Sequence, residues 1–295
     1  MSTYIFTFVI LHYNEKDVTI ECIDTIKKKT KGENVKIVIV DNNSPDGSGV
    51  VLYNKYIKED FIKVILLEDN LGFAKGNNIG YQYAKKQLQS DFICIMNNDV
   101  LLQSENFVKQ AVLEYEKYNY GVIGPHITLL NGKTNYMYLE LMKKEEYEKE
   151  WQKAKKMYKY YTSKLFYVRN FINQKIDQVL KKYNKINDVD NEAVKQQSTL
   201  RHENIVLHGC CLIFTPYYLE KFEDAFNPRT FMFREEELLY IRCKKEKVNT
   251  IYTPQIDVLH LEDVSTNSFY KKDKEREAFK WKCQVDSLQI LLEEL

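Results

Sequence analysis

The sequence predicts an α/β fold: a mixed, mostly parallel sheet with helices on both faces. Three observations carry that reading. Apolar runs alternate with amphipathic stretches over the first 130 residues, which is the pattern of strand–helix repeats. Two of those runs stop at polar clusters, Asp41-Asn42-Asn43-Ser44 and Asn97-Asn98-Asp99. In parallel sheets, ligands gather beyond the carboxyl ends of strands, so the clusters converge by topology. Third, Asn70-Leu71-Gly72-Phe73-Ala74-Lys75-Gly76-Asn77-Asn78-Ile79-Gly80 packs three of ten glycines, three asparagines and a lysine into eleven residues. Small residues let backbone approach a ligand closely, and amides with a lysine suit a polar, anionic one.

The elements follow in order. Ile5–Leu11 is an apolar strand, and Val18, Cys22, Ile23 and Ile26 carry helical spacing over Val18–Lys28. Val35–Val40 is a strongly β-branched strand. Val51–Ile57 reads as a helix, Lys63–Leu67 as a strand, Gly76–Gln87 as a helix, Phe92–Met96 as a strand and Glu105–Tyr118 as a helix. Gly121–Ile123 begins another strand. After residue 205 the core returns: Val206–Leu207 and Cys211–Phe214 look like a strand around His208-Gly209. Pro216 starts a helix to Phe222, since proline suits a first helical turn. Leu238–Lys245 is helical, Thr250–Thr253 and Asp257–His260 are short extended pieces, and Ser268–Leu295 is a helical tail.

Residues 131–205 differ. No glycine falls between Gly132 and Gly209 and no proline between Pro125 and Pro216. Sixteen lysines and arginines face ten acids there, and eight tyrosines join them. Long spans without breakers and with mixed Glu and Lys predict helices. The plain reading is a solvated helical insertion; the sharper one is a basic, tyrosine-rich surface for an acidic acceptor or a membrane face.

Bulk properties bound the function. A chain of 295 residues suits one large domain with an elaboration. A formal net charge of +1 gives no global case for nucleic acid. Six cysteines without CxxC pairing read as reduced, mostly buried thiols of a cytoplasmic protein, with no zinc site expected. Tyr4–Leu11 is too short to span a bilayer, and no segment approaches ~18 uninterrupted apolar residues. Peripheral attachment at the inner membrane face stays open.

Four positions could carry chemistry. Asp41, at a strand end, could accept hydrogen bonds from a base or ribose edge, or merely cap a turn. Asn98-Asp99 offers oxygen ligands for magnesium or manganese, or forms another turn. Glu235-Glu236-Glu237 opens a predicted helix, where acids complement the dipole, yet one carboxylate could act as a general base. His260 closes an apolar strand as a structural histidine or a metal ligand. P-loop, GxGxxG and GxSxG patterns are missing from the sequence, and His12, His126 and His202 match no nucleophile pattern.

Taken together these pieces resemble a family 2 glycosyltransferase of the GT-A fold, in particular its rhamnosyltransferase-like branch, over residues 4–130 and 205–265. Asp41-Asn42-Asn43-Ser44 resembles the family's nucleobase-binding "DNxS", and Asn70 through Gly80 reproduces "NxGFAxGNNxG". The resemblance implies a GT-A domain over 1–267, interrupted by the insertion at 131–205, with a separate tail at 268–295. It implies donor contacts from Tyr13, Asn14, Asp41, Asn43, Asn70, Gly72, Phe73, Lys75, Asn77, Asn97 and Asn98. Asp99, in the place of the DxD-type motif, and His260, in a late "HxxxxS" segment, would hold Mg2+ or Mn2+. His208, Gly209 and Cys210 would line the acceptor side. Arg234-Glu235-Glu236-Glu237-Leu238-Leu239 aligns with "ED-x-DL", which puts the base at Glu236, with Glu235 as the other choice. Asn97 replaces the first acid of the metal motif, and Leu238 replaces the second acid of the base segment.

The activity so implied is inverting transfer from a dTDP-, UDP- or GDP-linked sugar to a hydroxyl of a glycan or lipid-linked acceptor, in bacterial surface polysaccharide biosynthesis. A sugar-nucleotide nucleotidyltransferase is the rival, although Leu11-His12-Tyr13-Asn14-Glu15 stands where that class carries a GxGxRxxP-type loop. A catalytically weak nucleotide-sugar-binding module is the third reading.

Overall fold

A computed structural model of the 295-residue chain describes residues 4–134, 140–163, 198–261 and 273–295. Nine strands form one mixed sheet among these residues. They are β1 (Phe6–His12), β2 (Val35–Asp41), β3 (Ile62–Leu66), β4 (Phe92–Asn97), β5 (Val100–Leu102), β6 (Val122–Leu129), β7 (His202–Glu203), β8 (Cys211–Phe214) and β9 (Thr250–His260). The helices are α1 (Lys16–Lys29), α2 (Ser48–Tyr56), α3 (Gly72–Lys86), α4 (Phe107–Tyr118), α5 (Lys144–Thr162), α6 (Pro216–Lys221), α7 (Glu235–Lys245) and α8 (Asp273–Glu294).

The sheet runs β3-β2-β1-β4-β8-β6-β9-β5, with β7 on β9. Strands β3, β2, β1 and β4 are mutually parallel, so His12, Asp41 and Asn97 end at one rim. Alternation sorts the side chains into layers. Phe6, Phe8 and Ile10 of β1 pack with α1, α2 and α4, whereas Val9 packs with Val38, Val40 and helices α3, α6 and α7. A third cluster joins α5 and α8 through Tyr147, Ala154, Leu288 and Leu291 to Leu238 and Ile241 of α7.

Several expected boundaries move. α3 begins at Gly72 rather than Gly76, because positive φ at Gly72 (79°) turns the chain directly into the helix. Thr250–His260 is one strand rather than two pieces; a register shift in β6 between Pro125 and His126 lets it run through. Val206–Leu207 lies outside the named strands, and β5, unanticipated, exists by pairing with β9. Within the insertion α5 is helical, but His202–Glu203 is a strand; 135–139 and 164–197 lie outside the described residues. The tail is helical from Asp273, while the late-motif residues Glu262–Ser265 lie outside the described residues. All six cysteines are free and buried. No described helix is long and apolar enough to cross a membrane.

Candidate active site

The rim beyond β1, β2 and β4 is assembled from short loops that hold one another. His12 and Asp41 lie opposite each other in the β1–β2 register. After His12, Asn14 and Glu15 take left-handed backbone conformations (φ 56° and 51°), turning the chain into α1. Asn14 N–H donates to Ser44 Oγ at 2.9 Å, and the Ser44 hydroxyl and N–H both donate to Asp41. Burial pushes the Asp41 carboxyl up, while these two bonds pull it down. A Cβ on Gly49 would sit 2.1 Å from Asp41 Oδ2, so only glycine lets α2 approach the carboxylate this closely. Tyr13 bonds to Asn70 and lies in the field of Asp41 and Asp46.

Asn42 joins the first loop to the second. Its Oδ1 accepts from Leu71 N–H at 2.8 Å, and its amide donates to Asn70 Oδ1 at 2.9 Å and Gly72 O at 3.2 Å. Asn43, the residue singled out from the sequence, is exposed at φ 60°. The adjacent pair carries the same side chain, so sequence alone could not assign the clasp. Gly72 leaves room for the carbonyl of Phe231, which accepts from Phe73 N–H at 2.6 Å.

Much of the Asn70–Gly80 motif serves packing. A Cβ on Gly76 would meet Leu11 at 2.6 Å and one on Gly80 would meet Val9 at 2.3 Å, so both glycines seat α3 on β1. Asn78 clamps the Phe226 backbone with both ends of its amide, each at 2.9 Å. Asn77 donates to Phe73 O at 3.0 Å inside its own helix, and Lys75 is exposed in the first turn.

Beyond β4, Asn97 N–H donates to Cys210 O at 2.8 Å and the Asn98 amide donates to Thr19 at 3.0 Å. Asp99 is 4% exposed, and its Oδ1 has no hydrogen-bond partner among the described residues. His260 Nε2 lies 3.4 Å from that oxygen, and His260 Nδ1 is equally unpartnered. The β5–β9 pairing of Val100 with His260 delivers the imidazole there. Among the described residues no group of three His, Cys, Asp or Glu side chains is placed to hold a metal. A buried unpartnered carboxylate oxygen beside an imidazole nitrogen nevertheless fits one hard divalent ion whose other ligands come from a diphosphate and water.

The third component is the His208–Cys210 turn with the Arg234–Glu237 segment that begins α7. The His208 ring lies 5.9 Å from that of His260 and accepts Cys210 N–H at Nδ1 (3.1 Å). Burial, with His260 adding to it, pushes His208 down to about 4. Glu236 lies directly on Gly209: its carboxylate accepts the Gly209 N–H, and a Cβ there would meet Oε1 at 2.5 Å. The Cys210 thiol feels both Asp99 and Glu236, so this turn bridges the two carboxylates. Burial and the Glu237 charge push Glu236 up to about 7, against the pull of Gly209 N–H and Arg234. Glu235 is 4% exposed and rises to about 8, through burial and then through Glu236; its Oε1 is unpartnered among the described residues. Arg234, left-handed at φ 68°, bonds Glu237 at 2.7 Å and Glu150 of α5 at 2.6 Å. Sequence reading missed the anchoring part of Arg234. Its partner on α5 is 84 positions away, so no local signal marked it.

Comparison with known proteins shows the family and the fold. A family model for glycosyl transferase family 2 matches residues 7–180. The chain is 26% identical over 115 residues to the glycosyltransferase GlyG of Streptococcus pneumoniae serotype 4, covering 39% of this chain and 36% of that protein. It is 24% identical over 126 residues to the low-salt glycan biosynthesis hexosyltransferase Agl10 of Haloferax volcanii, covering 43% and 38%. The matches thus span little more than a third of the length of these relatives. The fold resembles the mannosyltransferase PcManGT of Pyrobaculum calidifontis, solved in complex with GDP-Man and Mn2+, with a TM-score of 0.54, 11% identity, and coverage of 97% of this chain and 73% of that one. The chain belongs to glycosyl transferase family 2 and has the GT-A fold.

Proposed function

We propose that this family member transfers a sugar from a nucleoside-diphosphate sugar to an acceptor hydroxyl with inversion, using Glu236 as the general base. One observation carries the reading: Glu236 lies against Gly209 on the turn that leads to Cys210, and Cys210 lies in the field of Asp99. A base for the acceptor and a carboxylate for the diphosphate end therefore face one region. An acceptor hydroxyl is a poor nucleophile until a positioned base takes its proton, and a base poised near neutral pH is best suited to do so. Glu236, pushed up to about 7, meets that condition. The Glu235 carboxyl, buried beside it, is pushed up as well, so the pair favours holding one proton between them and leaving one carboxylate.

On the donor side Asp41 and Tyr13 hold the nucleobase and ribose, with Asn42 and Asn70 keeping the two loops together. Asp99 and His260 are the residues that would hold Mg2+ or Mn2+, which when bound supplies positive charge to the leaving diphosphate. Lys75, exposed at the start of α3, is within the same donor-side segment and adds a further positive charge. His208, Gly209 and Cys210 form the acceptor-side wall. A UDP-, GDP- or dTDP-linked donor fits equally with these groups, and the rhamnosyltransferase-like branch rests on the Asn70–Gly80 segment. The acceptor in this reading is a glycan or lipid-linked glycan of surface polysaccharide synthesis, met in the cytoplasm or at the membrane face.

The test uses calorimetry and turnover together. A panel of UDP-, GDP- and dTDP-sugars with manganese identifies the donor through ligand-linked stabilisation. Glu236→Gln should then keep donor affinity within about twofold while transfer falls by about 10²–10⁴, the usual contribution of a general base. Full transfer by the Gln variant would remove Glu236 from the base role. Pyrophosphate release from a nucleoside triphosphate would favour nucleotidyl transfer instead.

A further inference from the structure

We propose that His12 is a positioning residue that couples the nucleobase loop to the Asn98–Asp99 turn through one continuous chain of hydrogen bonds. The proposal rests on the donor-site reading above, because it assigns those two loops to the two ends of one nucleoside diphosphate.

His12 is fully buried at the carboxyl end of β1, between the two loops. Its Nε2 lies 2.8 Å from Ser48 Oγ and its Nδ1 lies 2.7 Å from Thr19 Oγ1. The directions of the bonds follow from the ends inward. The Ser48 hydroxyl donates to the Asp46 carboxylate, so its oxygen is left to accept from His12 Nε2–H. That fixes the tautomer, and the bare Nδ1 accepts the Thr19 hydroxyl. Thr19 Oγ1 in turn accepts the amide of Asn98 at 3.0 Å. Every link therefore points the same way, from Asn98 through Thr19, His12 and Ser48 to Asp46. Two further contacts widen its reach: Asp41 Oδ1 lies 4.0 Å from His12 Nε2, and Asp46 also accepts Ser48 N–H at 2.9 Å.

The chain ties together elements that backbone pairing leaves apart. Asn98 begins the turn after β4, and Ser48 begins α2 after β2; β1 separates the two strands. A buried hydrogen-bonded chain is cooperative, and cutting it in the middle leaves groups unsatisfied on both sides. Displacing either loop thus costs bonds at the other. Such a link would hold the nucleobase site and the diphosphate site at the fixed separation that one nucleotide requires, which lowers the ordering cost of binding. Neutral imidazole suits this part, since it offers one donor and one acceptor on opposite sides of a rigid ring.

The test begins with hydrogen exchange of the unliganded protein. Ser48→Ala should speed exchange not only over 41–50 but across the sheet at 97–101. His12→Phe should loosen both loops, and His12→Gln, which keeps a donor and an acceptor, should restore much of the protection. Changes confined to 41–50 in Ser48→Ala would overturn the coupling. The binding arm compares a nucleoside with its diphosphate, using manganese and whichever of UDP, GDP or dTDP binds. His12→Phe and Ser48→Ala should bind the diphosphate about tenfold more weakly, yet the nucleoside within about threefold, on the scale of one lost hydrogen bond, and His12→Gln should recover most of the diphosphate affinity. Equal losses for both ligands would reduce His12 to a merely structural part and overturn the proposal. If the wild-type protein binds none of the three diphosphates, the donor reading fails, and the exchange result still decides the coupling.

Discussion

The proposed donor and acceptor sides of the site are held by different means. On the proposed donor side, Asp41–Ser44, Tyr13-Asn14 and Asn70–Gly72 are clasped by hydrogen bonds among themselves, the Asp41 carboxylate accepting from Ser44, and glycines at 49, 72, 76 and 80 let backbone and helix close in. On the proposed acceptor side the Arg234–Glu237 segment is held from outside. Met232 O accepts from Ser287 of α8, Arg234 reaches Glu150 of α5, and α7 leans on both helices through Leu238 and Ile241. Three consecutive carboxyls begin α7, and the pair Glu235–Glu236 carries raised proton affinity. The contrast teaches that loops can be locked to one another by short local bonds around a single buried carboxylate, Asp41. A base needs a partly desolvated charge, and that requires a separate buttress.

Glycine substitutions break the comparison most sharply. After Glu236→Gln, the largest loss of turnover is expected from Gly209→Ala. The added methyl would meet Glu236 Oε1 at 2.5 Å and displace the carboxylate from the Gly209 N–H. A displaced base costs about 10²-fold in kcat, with donor affinity unchanged; steady-state kinetics beside donor calorimetry decides it. An equal loss of donor binding would show that the two sides are not separable.

Gly80→Ala should do the reverse. Its methyl meets Val9 at 2.3 Å, so α3 must lift from β1, at a cost of about 1–3 kcal/mol in overall stability. Urea denaturation reads this directly. A stability unchanged from wild type would mean that the helix seat yields freely, and the close-packed description of the donor side would fail.

The smallest effect is on pH dependence. Glu235 rises from an ordinary 4.5 to about 8 in the folded protein, pushed chiefly by burial and then by Glu236. Between those values the folded state binds the proton more tightly than the unfolded chain, so stability falls as pH rises from about 4.5 to 8. Glu235→Gln should flatten that slope and melt higher than wild type at pH 8. Parallel melting curves for the two proteins across this window would show that Glu235 does not hold its proton. The wild-type rate should climb with pH through about 7 as Glu236 ionises.

Much of the fold was legible because its signals are local. A β-branched run marked β2 and an apolar run marked β4, each with a polar stop, and helical spacing marked α1. β5 was not legible: three residues carry no periodicity, and Val100–Leu102 becomes a strand only beside β9. Asn42 and Asn43 were indistinguishable as residue types, and only the tertiary contact with Leu71 and Asn70 made the first of them the clasp. Asn78, read as part of a ligand motif, holds Phe226 through bonds that span 148 positions.

By itself, then, the sequence determined the α/β alternation, the polar clusters at strand ends and the identity of the acids available for chemistry. These depend on period, turn chemistry and residue type, all of which are properties of neighbouring residues. The tertiary structure decided which of those groups are buried, unpartnered or opposed. Glu236 has its raised proton affinity because the fold buries its carboxyl, with the Glu237 charge adding to that, and Asp99 stands beside His260 because β9 crosses to β5. Desolvation and charge proximity are properties of three-dimensional placement, and no window of sequence contains them.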